Sequence, residues 1–210
     1  ISTQSKFNLK NLYNDYPDMQ NKLGSEGKDK RFRQIIMERF PNLFQENRQN
    51  DEDIRVLGLI GKKRVYRYIN KKYVEYDNWL DKFKVFVPFS NGSILSDKQE
   101  SIIGNPVLGL PSDGITQTFI CIGQFNNVQY AENLLKYIKT KFSRIMLCIL
   151  KVTQGNKSET WKYVPLQDFT DKSDIDWSKS IHEIDLQLYK KYGLDQNEID
   201  FIESHIKEMK

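Results

Sequence analysis

Residues 54–69 read Ile-Arg-Val-Leu-Gly-Leu-Ile-Gly-Lys-Lys-Arg-Val-Tyr-Arg-Tyr-Ile, and this stretch decides the fold class. Two runs rich in β-branched, aliphatic and aromatic residues, 54–60 and 64–69, flank a turn at 61–63 and predict a β-hairpin. Alternate residues of the second run are expected on opposite faces of a sheet. The chain therefore contains at least one antiparallel pair of strands.

The hairpin is followed by further strand-like segments. Residues 83–88 predict a strand that an Asn-Gly turn signal at 91–92 brings to an end. A loop rich in Gly and Pro at 104–114 leads into the most strand-like segment of the chain, 115–125, and residues 161–164 predict one more strand. We expect these strands to form a mixed or antiparallel sheet.

Two regions have the pattern of helices. Between residues 128 and 150 apolar residues recur every three or four positions over about five turns, which predicts one long amphipathic helix. Near the C-terminus, Gly193 suits the left-handed position after a helix, and Asp195 with Glu198 forms a capping pair for another. These patterns predict an α+β fold with one long amphipathic helix and a C-terminal helical hairpin.

The sequence divides into three segments. Residues 1–53 are polar and irregular, with a short helix predicted over 29–40, and residues 54–186 form the main domain. Residues 187–210 form the helical hairpin, which we expect to pack on that domain. The first residue is Ile1 rather than Met, so we expect a fragment of a longer polypeptide.

The composition is that of a polar protein that we expect in the cytoplasm. No apolar run approaches the roughly 20 residues of a membrane helix, and the N-terminus lacks a basic stretch followed by an apolar one. Cys121 and Cys148 have no CxxC spacing, which favours two reduced thiols. We expect no membrane partner.

Charge is unevenly distributed, although the net charge is only +4. Residues 54–84 hold nine Lys and Arg against three acids, and residues 136–162 hold seven against one. Residues 168–185 reverse the balance, with six acids against two lysines. Two basic segments apart from an acidic strip favour a polyanion-binding face, although an ordinary solvated surface has the same composition.

Three segments offer side chains that read DNA, since Arg pairs with guanine, Asn or Gln with adenine, and nearby cations hold phosphates. They are the hairpin turn, residues 82–93, and the polar run at 151–157. Each segment also has an alternative interpretation without DNA. The hairpin cations increase solubility, the Asn-Gly pair serves turn geometry, and the polar run at 151–157 caps the preceding helix. The candidate DNA-binding residues are Lys62, Lys63, Arg64, Arg67, Lys82, Lys84, Asn91, Lys151, Thr153 and Gln154.

The sequence contains no complete active site. His182 and His205 lie far apart, and no cluster of Cys, His and acids has metal-ligand spacing, so we predict no metal site. Asp18 and Glu26 fit the metal-nuclease pattern PD…ExK, in which two carboxylates hold Mg²⁺. The segment between them, 19–25, is polar and lacks the apolar alternation of a strand. We therefore interpret this match as coincidence.

Short motifs follow one another along residues 80–210. They are LDKFKVFVP at 80–88, SNG at 90–92, IGNP at 103–106, TQTF at 116–119, GQF at 123–125, KTKFSR at 139–144, KVTQ at 151–154, WKYVPLQDF at 161–169 and LYKKYGL at 188–194. In this order they resemble the C-terminal target recognition region of bacterial adenine-specific restriction–modification methylases, the type IIG-like restriction enzyme/methyltransferases. Val152 stands where the family has Asn.

The resemblance implies a target recognition domain, which binds double-stranded DNA while a methyltransferase domain elsewhere in the same polypeptide methylates an adenine. It makes Lys151, Thr153 and Gln154 the main DNA contacts. The parent enzyme is expected to use S-adenosylmethionine, and Mg²⁺ where it carries a nuclease. This chain has neither a Gly-rich loop for S-adenosylmethionine nor the Pro-Pro motif that holds a flipped adenine. We therefore expect no catalytic residue and no cofactor in the fragment itself.

Two other hypotheses stay open. In the first, the helix over 128–150 and the final hairpin dock on a partner, and the chain is a protein-interaction module. In the second, Asp18 and Glu26 belong to a stand-alone nuclease.

Overall fold

Strands and helices are interspersed along the chain in this computed structural model, which describes residues 1, 4–23, 30–90, 102–150 and 155–209. The strands of these residues are β1 (Asp53–Ile60), β2 (Lys63–Asn70), β3 (Phe83–Pro88), β4 (Val107–Gly109), β5 (Asp113–Ile115) and β6 (Phe119–Phe125). The α-helices are α1 (Leu9–Asp15), α2 (Met19–Leu23), α3 (Ile36–Arg39), α4 (Val128–Lys139), α5 (Lys141–Cys148), α6 (Ile181–Tyr192) and α7 (Gln196–His205). The predicted α+β class is confirmed.

The chain separates into two compact units. Unit 1 comprises Ile1–Lys82 and Gly109–Ile122, and unit 2 comprises Phe83–Leu108 and Gly123–Lys210. These boundaries follow packing. They do not test the division into residues 1–53, 54–186 and 187–210, which stays a prediction.

Unit 1 contains the predicted hairpin, which is confirmed. Strands β1 and β2 pair antiparallel, in register from the Asp53–Asn70 pair to the Ile60–Lys63 pair. Strand β5 runs parallel to the other edge of β1, which gives a mixed sheet in the order β2-β1-β5. Parallel pairing brings together residues far apart in sequence, and a turn signal cannot predict it.

The helix predicted over 29–40 is wrong in its extent, because only α3 is helical within it. Arg31 instead forms an antiparallel bridge with Lys6. Since this stretch pairs with another extended segment, its backbone groups find partners without helix formation. Phe32, the residue after Arg31, is buried.

Unit 2 contains β3, which matches the strand predicted over 83–88. The second sheet has the strand order β4-β3-β6, so β3 is its central strand. The strand predicted over 115–125 is divided, since β5 ends at Ile115 and β6 begins at Phe119. The strand predicted over 161–164 is wrong, because a 3₁₀ turn at Ser158–Trp161 occupies its start.

The long helix predicted over 128–150 is two helices, α4 and α5. Thr140 separates them with extended φ and ψ of −60° and 150°, and its side chain accepts a hydrogen bond from the Ser143 amide. The apolar stripe continues across the break. Its buried members are Ala131, Leu134, Ile138, Phe142 and Leu147.

The C-terminal helical hairpin is confirmed as α6 and α7. Gly193 takes the left-handed conformation with φ of 67°, and Leu194 N–H donates to the Tyr189 carbonyl at 3.0 Å. The predicted Asp195–Glu198 capping box closes the start of α7. Among the helices that the structure describes, none has the length and apolarity needed to cross a membrane.

Candidate nucleic-acid interface

The end of β3 lies beside the segment that follows α5. Ser90 and Gly155 form an antiparallel bridge within unit 2. We call this pairing the 90/155 junction. It joins the described ends of two segments singled out as DNA contacts, 82–93 and 151–157, which are about sixty residues apart in sequence.

Asn156 fixes the 90/155 junction. Its backbone N–H donates to the Phe89 carbonyl at 2.6 Å, and its Nδ2 donates to the Pro88 carbonyl at 2.8 Å. The side chain has no exposed surface, and its Oδ1 has no hydrogen-bond partner among the described residues. Both bonds go to backbone carbonyls, so they do not directly involve the side chains of residues 88 and 89.

Four of the predicted contacts lie outside the described residues. They are Asn91, Lys151, Thr153 and Gln154. The junction places the described neighbours of Asn91 and Gln154, which are Ser90 and Gly155, next to each other.

Lys84 does not fit its predicted role as a DNA contact, because it has 0% relative exposure. Its Nζ lies 5.8 Å from the ring centre of Phe86. Four consecutive residues of β3, 84–87, are buried, so both faces of the strand are covered and strand alternation leaves no exposed side there. Lys82, which closes the 3₁₀ turn at Asn78–Asp81, is partly exposed.

The tip of the β1–β2 hairpin carries three exposed cations, Lys62, Lys63 and Arg64. Gly61 N–H donates to a carboxylate oxygen of Glu38 at 2.9 Å, which holds the turn. In the described part of the chain, Lys62 and Lys63 form no ion pair. Their charges are therefore available to an external anion.

Arg67, the fourth cation predicted on the hairpin, is already paired. Its Nη2 donates to a Glu46 carboxylate oxygen at 2.8 Å, and its Nη1 donates to the Tyr66 carbonyl at 3.1 Å. The side chain is only 19% exposed. Since Glu46 neutralises it, Arg67 is a weaker candidate for a phosphate contact than the tip lysines.

Arg55 is a residue whose role the sequence analysis missed. Its Nε and Nη2 donate to the two carboxylate oxygens of buried Asp113 at 2.9 and 2.7 Å, and this hydrogen bonding raises the pKa of Arg55. The guanidinium also lies over the Tyr66 ring, 4.3 Å from its centre. The pairing depends on the parallel β1–β5 register, so no local pattern could have indicated it.

The second basic segment, 136–162, is partly an internal feature of unit 2. Lys136 Nζ donates to the Trp177 carbonyl at 2.7 Å, and Lys141 forms a 2.5 Å ion pair with Glu203. These bonds satisfy the two cations within the unit. A count of lysines therefore overstates the positive charge that this segment offers to a ligand.

A buried polar cluster lies at the start of α5. Asp185 on α6 accepts the N–H groups of Lys141 and Phe142 at 3.0 and 2.8 Å, and burial raises the pKa of its carboxyl to about 6. Arg144 Nε donates to the Thr140 carbonyl at 3.1 Å, and burial lowers the pKa of Arg144. This cluster joins α5 to α6.

Of the nuclease pattern, Pro17 and Asp18 are the members that lie among the described residues. Asp18 lies just before the short helix α2 and forms a 2.5 Å ion pair with Lys22. Glu26 and Lys28, the other members of the pattern, lie outside the described residues. Across the ranges that the structure describes, no three His, Cys, Asp or Glu side chains group as metal ligands.

No family model, curated protein or solved structure matches this chain. The likeness to target recognition regions of restriction–modification methylases therefore stays a prediction from ordered short motifs.

Proposed function

We propose that this chain is a sequence-specific double-stranded DNA recognition domain of a restriction–modification enzyme. It directs adenine methylation that domains outside the chain carry out. In this proposal the methyltransferase domain of the same polypeptide is its partner, the parent enzyme uses S-adenosylmethionine in the cytoplasm, and Mg²⁺ serves a nuclease where the parent has one.

The 90/155 junction is the observation that carries the proposal. A base-reading surface needs amide and cationic side chains from separate segments to be presented together on a rigid support. Asn91 directly follows one side of the junction, and Gln154 directly precedes the other. The hydrogen bonds of Asn156 hold both sides at one place in unit 2.

The hairpin in unit 1 provides separate support. Lys62 and Lys63 are exposed and have no ion pair among the residues described, so they bind phosphate without first breaking an internal salt bridge. Each such contact releases a condensed counterion from DNA. The affinity is therefore expected to fall steeply with salt.

A salt titration of DNA binding tests the proposal. Fluorescence anisotropy with short duplexes of random sequence gives the dissociation constant at each salt concentration, and each phosphate contact contributes about −0.9 to the log–log slope. We expect a slope of about −3 or steeper for the unmodified chain. A slope near zero would exclude polyanion binding.

Two double variants then distinguish a specific contribution of residues 151–154 from the effect of overall charge. Lys151→Ala with Gln154→Ala is expected to weaken binding and to make the slope shallower by about 0.9, since one cation is lost. The matched control is Lys190→Ala with Gln196→Ala, which removes the same residue types from exposed positions on α6 and α7. Equal effects of the two double variants on affinity and slope would contradict a role for residues 151–154.

The protein-interaction alternative is favoured by one exposed apolar site. Leu166 is 90% exposed and lies close in sequence to half-exposed Tyr163. In the docking stripe expected over 128–150, Ala131, Leu134, Ile138 and Phe142 are buried within unit 2, and Ile149 is 56% exposed. A partner bound through Leu166 would show little salt dependence and would be lost in Leu166→Ser, with DNA binding unchanged.

A further inference from the structure

We infer that the tip of the β1–β2 hairpin is a ribbon that enters the major groove of the duplex. Lys62 and Lys63 contact phosphates there, and Arg64 contacts base edges. This inference rests on the proposed function and adds the groove and the division of roles.

Whether a cation of the hairpin has a carboxylate partner depends on its position along the hairpin. Arg55 and Arg67, away from the turn, have the carboxylates of Asp113 and Glu46 as partners. Lys62 and Lys63, at the turn, have no carboxylate partner in the described part of the chain. Lys62 and Lys63 thus place positive charge where the hairpin ends, beside the Glu38 carboxylate that accepts from Gly61 N–H.

The same end of the hairpin is only two strands wide. Strand β5 pairs with β1 only at Arg55–Leu57, and the bridge from Gln45 reaches β2 only at Tyr68. Within the described residues, the pairs from Gly58–Val65 to Ile60–Lys63 have no third strand beside them. This part of the sheet is a two-stranded ribbon, and α3 lies against it at β1, since a Cβ at Gly58 would be 2.7 Å from Met37 Sδ.

The dimensions of a ribbon select the groove. Paired strands lie about 4.8 Å apart before side chains are added. The major groove of B-DNA is about 12 Å wide and admits a two-stranded ribbon, whereas the minor groove is only about 6 Å wide. A tip that carries long Lys and Arg side chains therefore fits the major groove.

The tip is also held in place. The Gly61 N–H bond to Glu38 fixes the turn, and the guanidinium of Arg64 lies 5.6 Å from the ring centre of buried Phe119. Arg64 is an exposed residue, and its guanidinium is a planar fork of donors. Arginine donates to both O6 and N7 of guanine with this fork, which lysine cannot reproduce.

The test begins with duplexes selected by the full 210-residue chain. Dimethyl sulfate methylates guanine N7 in the major groove and adenine N3 in the minor groove, so one footprint reports both grooves. We expect the chain to protect guanine N7. In Lys62→Ala with Lys63→Ala this protection is lost, and the fall in affinity between about 50 and 200 mM salt is smaller by about tenfold.

A matched control removes the same charge from the same unit. Lys71→Ala with Lys72→Ala takes away two lysines that already have carboxylate partners, Asp81 at 4.0 Å and Asp15 at 2.6 Å. This variant is expected to keep the footprint. Thermal unfolding of both double variants checks that each retains its fold.

Arg64→Lys tests the division of roles. The variant keeps the charge and therefore the salt slope, but it is expected to lose a preference for guanine of about tenfold at one position of the selected site. Two results overturn the inference and leave the proposed function standing. One is protection of adenine N3 that depends on Lys62 and Lys63. The other is an unchanged preference for guanine in Arg64→Lys. Failure of the unmodified chain to select any duplex overturns both.

Discussion

Replacing Asp185 with Asn isolates the effect of one buried carboxyl on stability. Asp185 is 1% exposed and accepts two amide hydrogen bonds at the start of α5. Burial raises its pKa from 3.8 to about 6. The folded protein therefore keeps a proton on this group over a pH interval in which the unfolded chain has lost it.

The sign of the effect follows from this difference. Below pH 3.8 both states are protonated, and the stability that Asp185 contributes is fully present. As pH rises, the unfolded chain ionises first, so the free energy of unfolding falls until the folded carboxyl has also ionised. Each pH unit in the interval lowers it by about 1.4 kcal/mol, which amounts to about 3 kcal/mol in all.

Urea unfolding at a series of pH values between about 4 and 7 measures the effect. The unmodified chain and Asp185→Asn share every other titrating group, so the difference between their free energies of unfolding reports this carboxyl alone. We expect the unmodified chain to lose about 2.5 kcal/mol relative to the variant as pH rises across the series.

Two results would refute this reasoning. A difference that stays constant with pH within about 0.5 kcal/mol would mean that the pKa of Asp185 is the same in both states. A difference that changes in the opposite direction would mean that the two amide bonds outweigh burial and hold the pKa below its ordinary value.

Four further substitutions give expected losses of stability, each measurable by urea unfolding. Gly123→Ala combines a φ of 76° with a Cβ only 2.5 Å from a ring carbon of Phe125, so we expect a loss of about 3 kcal/mol. Gly193→Ala also has a positive φ but no neighbour within 4 Å of the added Cβ, so we expect a loss of about 1 kcal/mol. Arg55→Lys loses the bidentate geometry to its carboxylate partner, with an expected loss of about 1–2 kcal/mol. Thr140→Ala removes the cap of α5, with an expected loss of about 1 kcal/mol and little change in helical circular dichroism.

The elements predicted correctly are those whose signals are local. The turn at Gly61, the extent of β3 and the capping box at Asp195 each depend on residues within a few positions of one another. Such patterns determine backbone geometry wherever the segment packs. The α+β class followed from the same local signals.

The helix break at Thr140 shows why the rest could not be predicted. No Gly or Pro marks it, and the apolar spacing runs through it without interruption. The carboxylate that takes the first two amides of α5 comes from Asp185, 44 positions beyond Lys141. A partner so distant in sequence overrides the local periodicity, so the division becomes visible only in the folded chain.

The candidate site was predictable in composition but not in exposure. Cationic segments were found from the sequence, yet Lys84 lies on a strand that is covered on both faces, and Arg67 is neutralised by Glu46. Both outcomes depend on neighbours brought together by the sheets. The same long-range pairing produced the 90/155 junction, which brought two of the predicted segments together.

The backbone bonds of Asn156 have a consequence for how such a chain changes over time. Because they are made to the backbone carbonyls of residues 88 and 89, they do not directly require particular side chains at those two positions. In the proposed role, exchange of residues 91–101 and 151–154 between homologues is expected to alter the preferred DNA target while these backbone bonds are kept.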